Sequence, residues 1–195
     1  MTDDRTRAVY DSKAADYAAR FDSEIPQDLR DFAARLPAGG KVLDLGSGPG
    51  GMAGWLAGQG FVVEAWDAST EMVALAARHP GVTARQAVFS DLEARRVYDG
   101  IWASFSLLHA PRADLPGLID RIARALRPGG TAYVAMKLGT GETRDALGRF
   151  YSYVSEAELR DWLEQAGLTV DATRTGHAKG LAGTDDPFVT VFAHG

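Results

Sequence analysis

The stretch "VLDLGSGPGG", residues 42–51, sets an acid, Asp44, inside an apolar run that ends in Gly46, Gly48, Gly50 and Gly51 with Pro49 among them. A short apolar run bounded by glycines predicts a buried strand followed by a tight turn. Such a turn needs backbone freedom that a side chain would block, and it lets the main chain come close to another group. The same glycines read two ways: as G-x-G-x-x-G through Gly46, Gly48 and Gly51, or as G-x-G-x-G through Gly46, Gly48 and Gly50. The first is a dinucleotide fingerprint, and the glycines alone do not choose between them.

Working outward, strands and helices alternate. "KVLDL" (41–45) predicts the first strand, "GMAGWLAGQ" (51–59) a helix that Gly60 closes in the left-handed conformation, and "FVVEAWD" (61–67) a second strand. Ser69 N-caps a helix over 70–79, followed by "PG" at 80–81. Strands are predicted at "VTARQAVF" (82–89) and "YDGIWASFS" (98–106), then a helix over 113–126 with Pro116 in its first turn. "RPGG" (127–130) is a turn and "TAYVAMK" (131–137) a strand. A capping box, Ser155 with Glu158, opens the next helix, which ends at Gly167. "LTVDATRT" (168–175) and "FVTVFAH" (188–194) have no helix between them and predict an antiparallel pair at one edge. Upstream, residues 5–21 and 25–36 carry apolar residues at helical spacing. The expectation is one α/β domain over 1–195, a mostly parallel sheet wound on both faces with N-terminal helices added. In such sheets ligands bind beyond the carboxyl ends of the strands, beside the first strand, where "DLGSGPGG" lies.

Composition narrows the classes. Apolar residues make up 46% and charged residues 24% of the 195, with a net charge of −5. The chain has no basic tail, which argues against nucleic acid as partner. There is no cysteine, so disulfides, thiolate metal sites and cysteine nucleophiles are excluded. The first residues lack the apolar core of a secretory signal, no run approaches the length of a membrane span, and the cytoplasm is the expected compartment. No cluster has metal-ligand spacing, so no metal is expected.

Asp44 bears on the ligand. A carboxylate two residues before Gly46 repels a pyrophosphate and attracts a cationic amino group, which suits a nucleoside bearing an amino acid. Asp67 ends the second strand 21 residues after Gly46, where an acid accepts from ribose hydroxyls. Asp91 is either an acceptor for an adenine amino group or a surface loop acid.

At this point "VLDLGSGPG", "AWDAST-EM", "FSDL", "YDGIWASFSLLHAP" and "LRPGGTAYVAMK" resemble, in order and spacing, the motifs of class I S-adenosylmethionine-dependent methyltransferases. The resemblance covers about residues 8–175. It implies a Rossmann-like fold of seven strands, the last inserted antiparallel, and S-adenosyl-L-methionine as cofactor. It implies that Asp44 lies near the methionine amino group, that Gly46, Ser47, Gly48 and Gly50 line methionine and ribose, and that Asp67 takes the ribose hydroxyls. Ala68 and Met72 would border the adenine, Asp91 would accept from its amino group, and the Leu92 amide would donate to the ring. Phe105 would lie near the sulfonium. "YDSKAADY" (10–17) resembles a family lid, with Tyr10 and Tyr17 over the methionine end, so residues 1–37 are expected to cover the cofactor. The sequence departs from the pattern at Trp66, usually small or aliphatic, which either caps the pocket edge or packs under a helix.

Methyl transfer from a sulfonium is an in-line displacement in which positioning supplies much of the rate. His109 in "SLLHAP" is the candidate base, or it pins its loop. Lys137 and the polar stretch 138–154, with Arg144, Arg149 and Tyr151, form the expected substrate loop, where an arginine can meet a substrate carboxylate or phosphate. The segment 175–187, with His177, is the other rim. A small-molecule acceptor is expected: cytosine C5 and arsenite methylation need cysteines, and "SFSLLH" is not the motif of amino-nitrogen methylases. Two other readings stay open, a non-catalytic nucleoside-binding domain of this fold and a nicotinamide-dependent oxidoreductase.

Overall fold

The structure is a computed structural model. It describes residues 3–21, 25–181 and 183–195; residues 1, 2 and 22–24 of the expected lid and 182 of the expected rim lie outside. The elements are α1 (Asp4–Phe21), α2 (Gln27–Ala33), β1 (Lys41–Leu45), α3 (Gly51–Gly58), β2 (Val62–Asp67), α4 (Thr70–Ala76), β3 (Val82–Gln86), β4 (Tyr98–Ser104), α5 (Leu115–Ala125), β5 (Leu126–Lys137), β6 (Glu142–Arg144), β7 (Phe150–Ser152), α6 (Glu156–Gln165), β8 (Thr169–Lys179) and β9 (Asp185–His194).

Seven strands form one sheet in the order β3-β2-β1-β4-β5-β9-β8. β1 pairs in parallel with both β2 and β4, and β9 runs antiparallel between β5 and β8. The order in which strands are added reverses at β1, with β2 and β3 on one side and β4 and β5 on the other, so its carboxyl end opens the crevice.

Alternation along the strands sorts the core onto two faces. Leu43, Leu45, Ile101 and Ala103 pack with Leu115, Ile119 and Ile122 of α5 and Leu159 and Leu163 of α6. Their neighbours Val42, Ala65 and Trp102 face the other way, against Leu29 and Phe32 of α2 and Ala53 and Leu56 of α3. Trp102 stacks on Tyr133 with ring centroids 3.8 Å apart. Gly100 makes room there: a Cβ at this position would lie 2.7 Å from the Phe32 ring.

Several boundaries move. α4 stops at Ala76 and β3 at Gln86, because Phe89–Asp91 winds into a 3-10 turn. "RPGG" is a bulge inside β5, since Tyr98 pairs with Leu126 and Gly100 with Thr131. The 138–154 segment holds a hairpin, β6 with β7, that the polar sequence does not announce. Among the described residues no helix is long and apolar enough to cross a membrane.

Candidate active site

The loop after β1 is shaped by bonds from β2. The amides of Gly46 and Ser47 both donate to the Trp66 carbonyl, at 2.8 and 2.9 Å. Gly48 N–H donates to Asp67 Oδ2 at 2.8 Å, and Ser69 N–H to Asp67 Oδ1 at 2.9 Å. Asp67 thus ties the glycine loop to the start of α4, where Ser69 Oγ accepts from Met72 N–H at 3.1 Å. Gly46 has φ +79, and a Cβ there would lie 2.3 Å from Ser106 Cβ. Gly50 has φ +88 and packs against Ala76, so it serves the α3–α4 contact.

Above this loop lies a cavity of about 200 Å³. The structure brings together Tyr10, Tyr17, Asp44, Gly46, Ser47 and Gly48 on its wall, with Asp67, Ala68, Met72, Phe105 and His109. Asp44 is 3% exposed and its Oδ2 has no hydrogen-bond partner. Burial, and then the charge of Asp67, push its carboxyl up to about 8. Asp67 is also raised by burial, against the pull of the Ser69 and Gly48 amides.

Three predicted contacts are not on this wall. Gly50 packs behind it. Asp91 Oδ2 accepts from Val88 N–H at 3.0 Å, and the Leu92 amide donates to the Phe89 carbonyl at 3.2 Å, so one Asp91 oxygen and the Leu92 amide take part in the 3-10 turn. Val88 and Phe89 line the cavity instead. Trp66 does both things the sequence left open: it lines the cavity and is buried in the core, with the Arg85 guanidinium 4.6 Å from its ring centre.

α1 closes the mouth with one face, through Thr6, Arg7, Tyr10 and Tyr17, and Asp3 just before it joins them. It is strapped at several points. Arg144 donates to both Asp3 oxygens at 3.0 and 2.7 Å, and Phe150 N–H to Thr6 Oγ1 at 2.8 Å. Ser69 Oγ donates to Asp11 Oδ1 at 2.5 Å. Arg149, only 2% exposed, donates to Asp145 through Nε and Nη2 and to the Tyr10 hydroxyl through Nη1 at 2.9 Å. Both arginines expected to meet substrate are therefore engaged with the protein.

His109 joins the same network. Its Nδ1 lies 2.7 Å from the Phe150 carbonyl, which can only accept, so Nδ1 carries the proton. Burial holds the imidazole down at about 4, so it is neutral and its bare Nε2 accepts from the Tyr10 hydroxyl at 2.8 Å. The lone pair a general base would use is occupied, and the ring positions the lid helix and the hairpin.

A second cavity of about 260 Å³ adjoins the first and shares Tyr10, Tyr17, Phe105 and His109 with it. Lys137, Arg149 and Tyr151 line it, with Lys179, Asp186 and Phe188 from the β8–β9 hairpin. His177, two residues before Lys179, is not on the wall. Phe105 stands between the cavities with φ +52, a left-handed conformation costly for a side-chain-bearing residue, and its ring meets Phe188 edge-on at 5.6 Å. The lid straps, Asp145 and Asp186 escaped the sequence reading because they join residues more than 40 positions apart or lie in unpatterned polar segments. Asp145 followed four residues later by Arg149 is the one local signal.

A model of the family "Methyltransferase domain" matches residues 17–173. The trans-aconitate 2-methyltransferase of Methylobacterium nodulans is 32% identical over 89% of this chain and 75% of its own. A ubiquinone biosynthesis O-methyltransferase of Xanthomonas axonopodis pv. citri is 31% identical over 75% of this chain and 70% of its own. Among solved structures, the 1,6-didemethyltoxoflavin-N1-methyltransferase of Burkholderia thailandensis, with bound 1,6-didemethyltoxoflavin and S-adenosylhomocysteine, superposes with a TM-score of 0.79 at 23% identity, over 98% of this chain and 87% of that one.

Proposed function

Since the chain belongs to the methyltransferase family and is an S-adenosylmethionine-dependent enzyme, we propose that the first cavity holds the nucleoside and the second a small-molecule acceptor, within one domain spanning 1–195. The relatives' names, which specify small acceptors, support this reading. The cysteine-free composition supports the cytoplasm as its compartment.

The observation that carries the assignment is Asp44. Asp44 borders the cavity beside the glycine loop, and one of its buried oxygens has no hydrogen-bond partner. A buried, unpaired acid is costly, and the cationic amino group of a methionine moiety is the partner it lacks. The residues present fit the cofactor at the other end too, where Asp67 borders the cavity between the Gly48 and Ser69 amides and Ala68, Met72, Val88 and Phe89 offer an apolar slot for a purine. When bound, the cofactor supplies an electrophilic methyl group on a sulfonium whose leaving group is neutral. The chain's own part is to hold the acceptor in line, with Phe105 as the wall between the cavities, and to exclude water with α1.

Asp44 makes the reading testable through pH. Its carboxyl is raised from 3.8 to about 8, so the folded protein binds a proton that the unfolded chain releases. That stabilisation is full below about pH 4 and is lost as pH rises toward 8, by at most about 1.4 kcal/mol per pH unit. Asp44→Asn, which does not titrate, is expected to exceed the wild type in Tm by a margin that opens above pH 4 and stops growing near pH 8. Ligand binding runs the other way, because the ammonium group prefers the ionised acid. Wild-type affinity for S-adenosylhomocysteine is expected to rise from pH 6 to 8, while Asp44→Asn binds at least tenfold more weakly at pH 8 with no such rise. Equal affinities at pH 8 would remove Asp44 from the site.

A further inference from the structure

We propose that the methyl acceptor is a small unsaturated or aromatic carboxylate, seated in the second cavity beside Lys137 and converted to a methyl ester. This deepens the methyl-transfer reading and rests on it.

The first argument is about protons. A phenol, alcohol or ammonium acceptor must lose a proton, and a base within hydrogen-bond reach is needed to take it. Besides Tyr17, four groups on the wall of the second cavity could be asked to do so. His109 has its Nε2 lone pair occupied by Tyr10 and its Nδ1–H on the Phe150 carbonyl. Asp186 accepts from Lys137 Nζ at 2.6 Å and Thr184 Oγ1 at 2.8 Å; although burial raises it, these two bonds hold it below the usual carboxylate range. Tyr10 and Tyr151 are pushed well above their ordinary values by burial and keep their protons. None of the four is placed to accept one. A carboxylate, ionised at neutral pH, is an acceptor that needs none.

The second argument is about charge. Arg149 has its Nε and Nη2 on Asp145 and its Nη1 on the Tyr10 hydroxyl, so these donors are used within the protein. Lys137 gives one of its three N–H groups to Asp186 and stands 4.2 Å from the Tyr151 ring centre. Its other donors are left for an anion, and Lys179 adds a second cation to this wall. The remaining surface, Phe105, Leu108, Tyr151 and Phe188, is aromatic or apolar and suits a flat body. An anion stripped of water against such walls is a stronger nucleophile than in solution.

The step balances without any proton transfer. A carboxylate lone pair forms the O–CH₃ bond as the C–S bond breaks with its electron pair going to sulfur. One negative and one positive charge become a neutral ester and a neutral thioether.

The test uses the full chain saturated with S-adenosylhomocysteine, titrated calorimetrically with three flat probes: cinnamate, cinnamamide and 4-vinylphenol. Cinnamate is expected to bind at least tenfold more tightly than either neutral probe. Lys137→Met is expected to weaken cinnamate at least tenfold and leave cinnamamide unchanged, with Lys137→Arg restoring most of the loss. With S-adenosylmethionine held saturating at every pH, cinnamate should give a product that alkali cleaves, at a kcat/KM for cinnamate that is flat from pH 6 to 9. The groups facing His109 are Tyr10, Arg149, Lys137, Asp145 and Tyr151, and a flat profile requires that none of them exchanges a proton with the substrate. Failure of cinnamate to bind the S-adenosylhomocysteine complex overturns the proposal. So does tighter binding of 4-vinylphenol, or an alkali-stable ether formed at a rate that climbs with pH. If S-adenosylhomocysteine itself does not bind, the methyl-transfer reading falls instead.

Discussion

Gly46→Ala is expected to abolish S-adenosylhomocysteine binding and to lower Tm by roughly 4–20 °C, at 2–4 °C per kcal/mol for a chain of this size. Two costs add. The residue sits at φ +79, where a Cβ is strained by about 1–2 kcal/mol. The new Cβ would also lie 2.3 Å from Ser106 Cβ, a distance that no relaxed contact has. Ser106 cannot move away cheaply, because its hydroxyl donates to the Leu45 carbonyl at 2.6 Å and its side chain is buried. The ends of β1 and β4 must part, at about 1–3 kcal/mol for an overpacked site. Gly39→Ala separates the two terms. Gly39 has φ +70, but a Cβ added there would meet nothing within 4 Å, so it carries the backbone strain alone. Thermal denaturation of both variants should show Gly46→Ala falling about twice as far, and only Gly46→Ala should lose the ligand.

Asp67→Ala is expected to weaken S-adenosylhomocysteine by at least 100-fold while the fold survives. The carboxylate holds the Gly48 amide on one oxygen and the Ser69 amide on the other. Its removal leaves two donors without partners and releases the glycine loop from α4. Each bond to a charged group contributes about 1.5–3 kcal/mol, but burial already works against this charge, so folding loses less than the sum. Binding loses both the loop geometry and the acceptor proposed for the ribose hydroxyls. Asp67→Asn keeps one acceptor and points an amide N–H at a backbone donor, so its affinity should fall between the two. Micromolar affinity in Asp67→Ala, read by titration calorimetry, would contradict the pocket assignment.

Much of this was legible in local chemistry. β1 was read over the residues it occupies because apolar residues meet glycines there, and the Ser155–Glu158 capping box marked the start of α6. Gly60 and Gly167 end their helices with φ near +90, as a left-handed cap requires. The terminal antiparallel pair followed from two apolar strands with no helix between them. What escaped was non-local. Tyr10 lies 99 positions from His109 and 139 from Arg149, and no periodicity encodes such a pairing. The β6–β7 hairpin was hidden because Glu142–Arg144 is an exposed polar strand. Asp91 was ambiguous in sequence because an acid after a strand suits a ligand and a turn equally, and the structure shows only the turn bond, from the Val88 amide to one of its oxygens.

The central claim, that the cavity beneath α1 is built for an amino-acid-bearing nucleoside, is tested most directly by titrating the purified chain calorimetrically with S-adenosylmethionine, S-adenosylhomocysteine and NADH. With the titration run at pH 9, where Asp44 is ionised, the account predicts that both sulfur nucleosides bind at a single site and that NADH does not, because the Asp44 carboxylate repels a diphosphate placed over Gly46–Gly48. Binding of NADH, or failure of both sulfur nucleosides to bind, would contradict it.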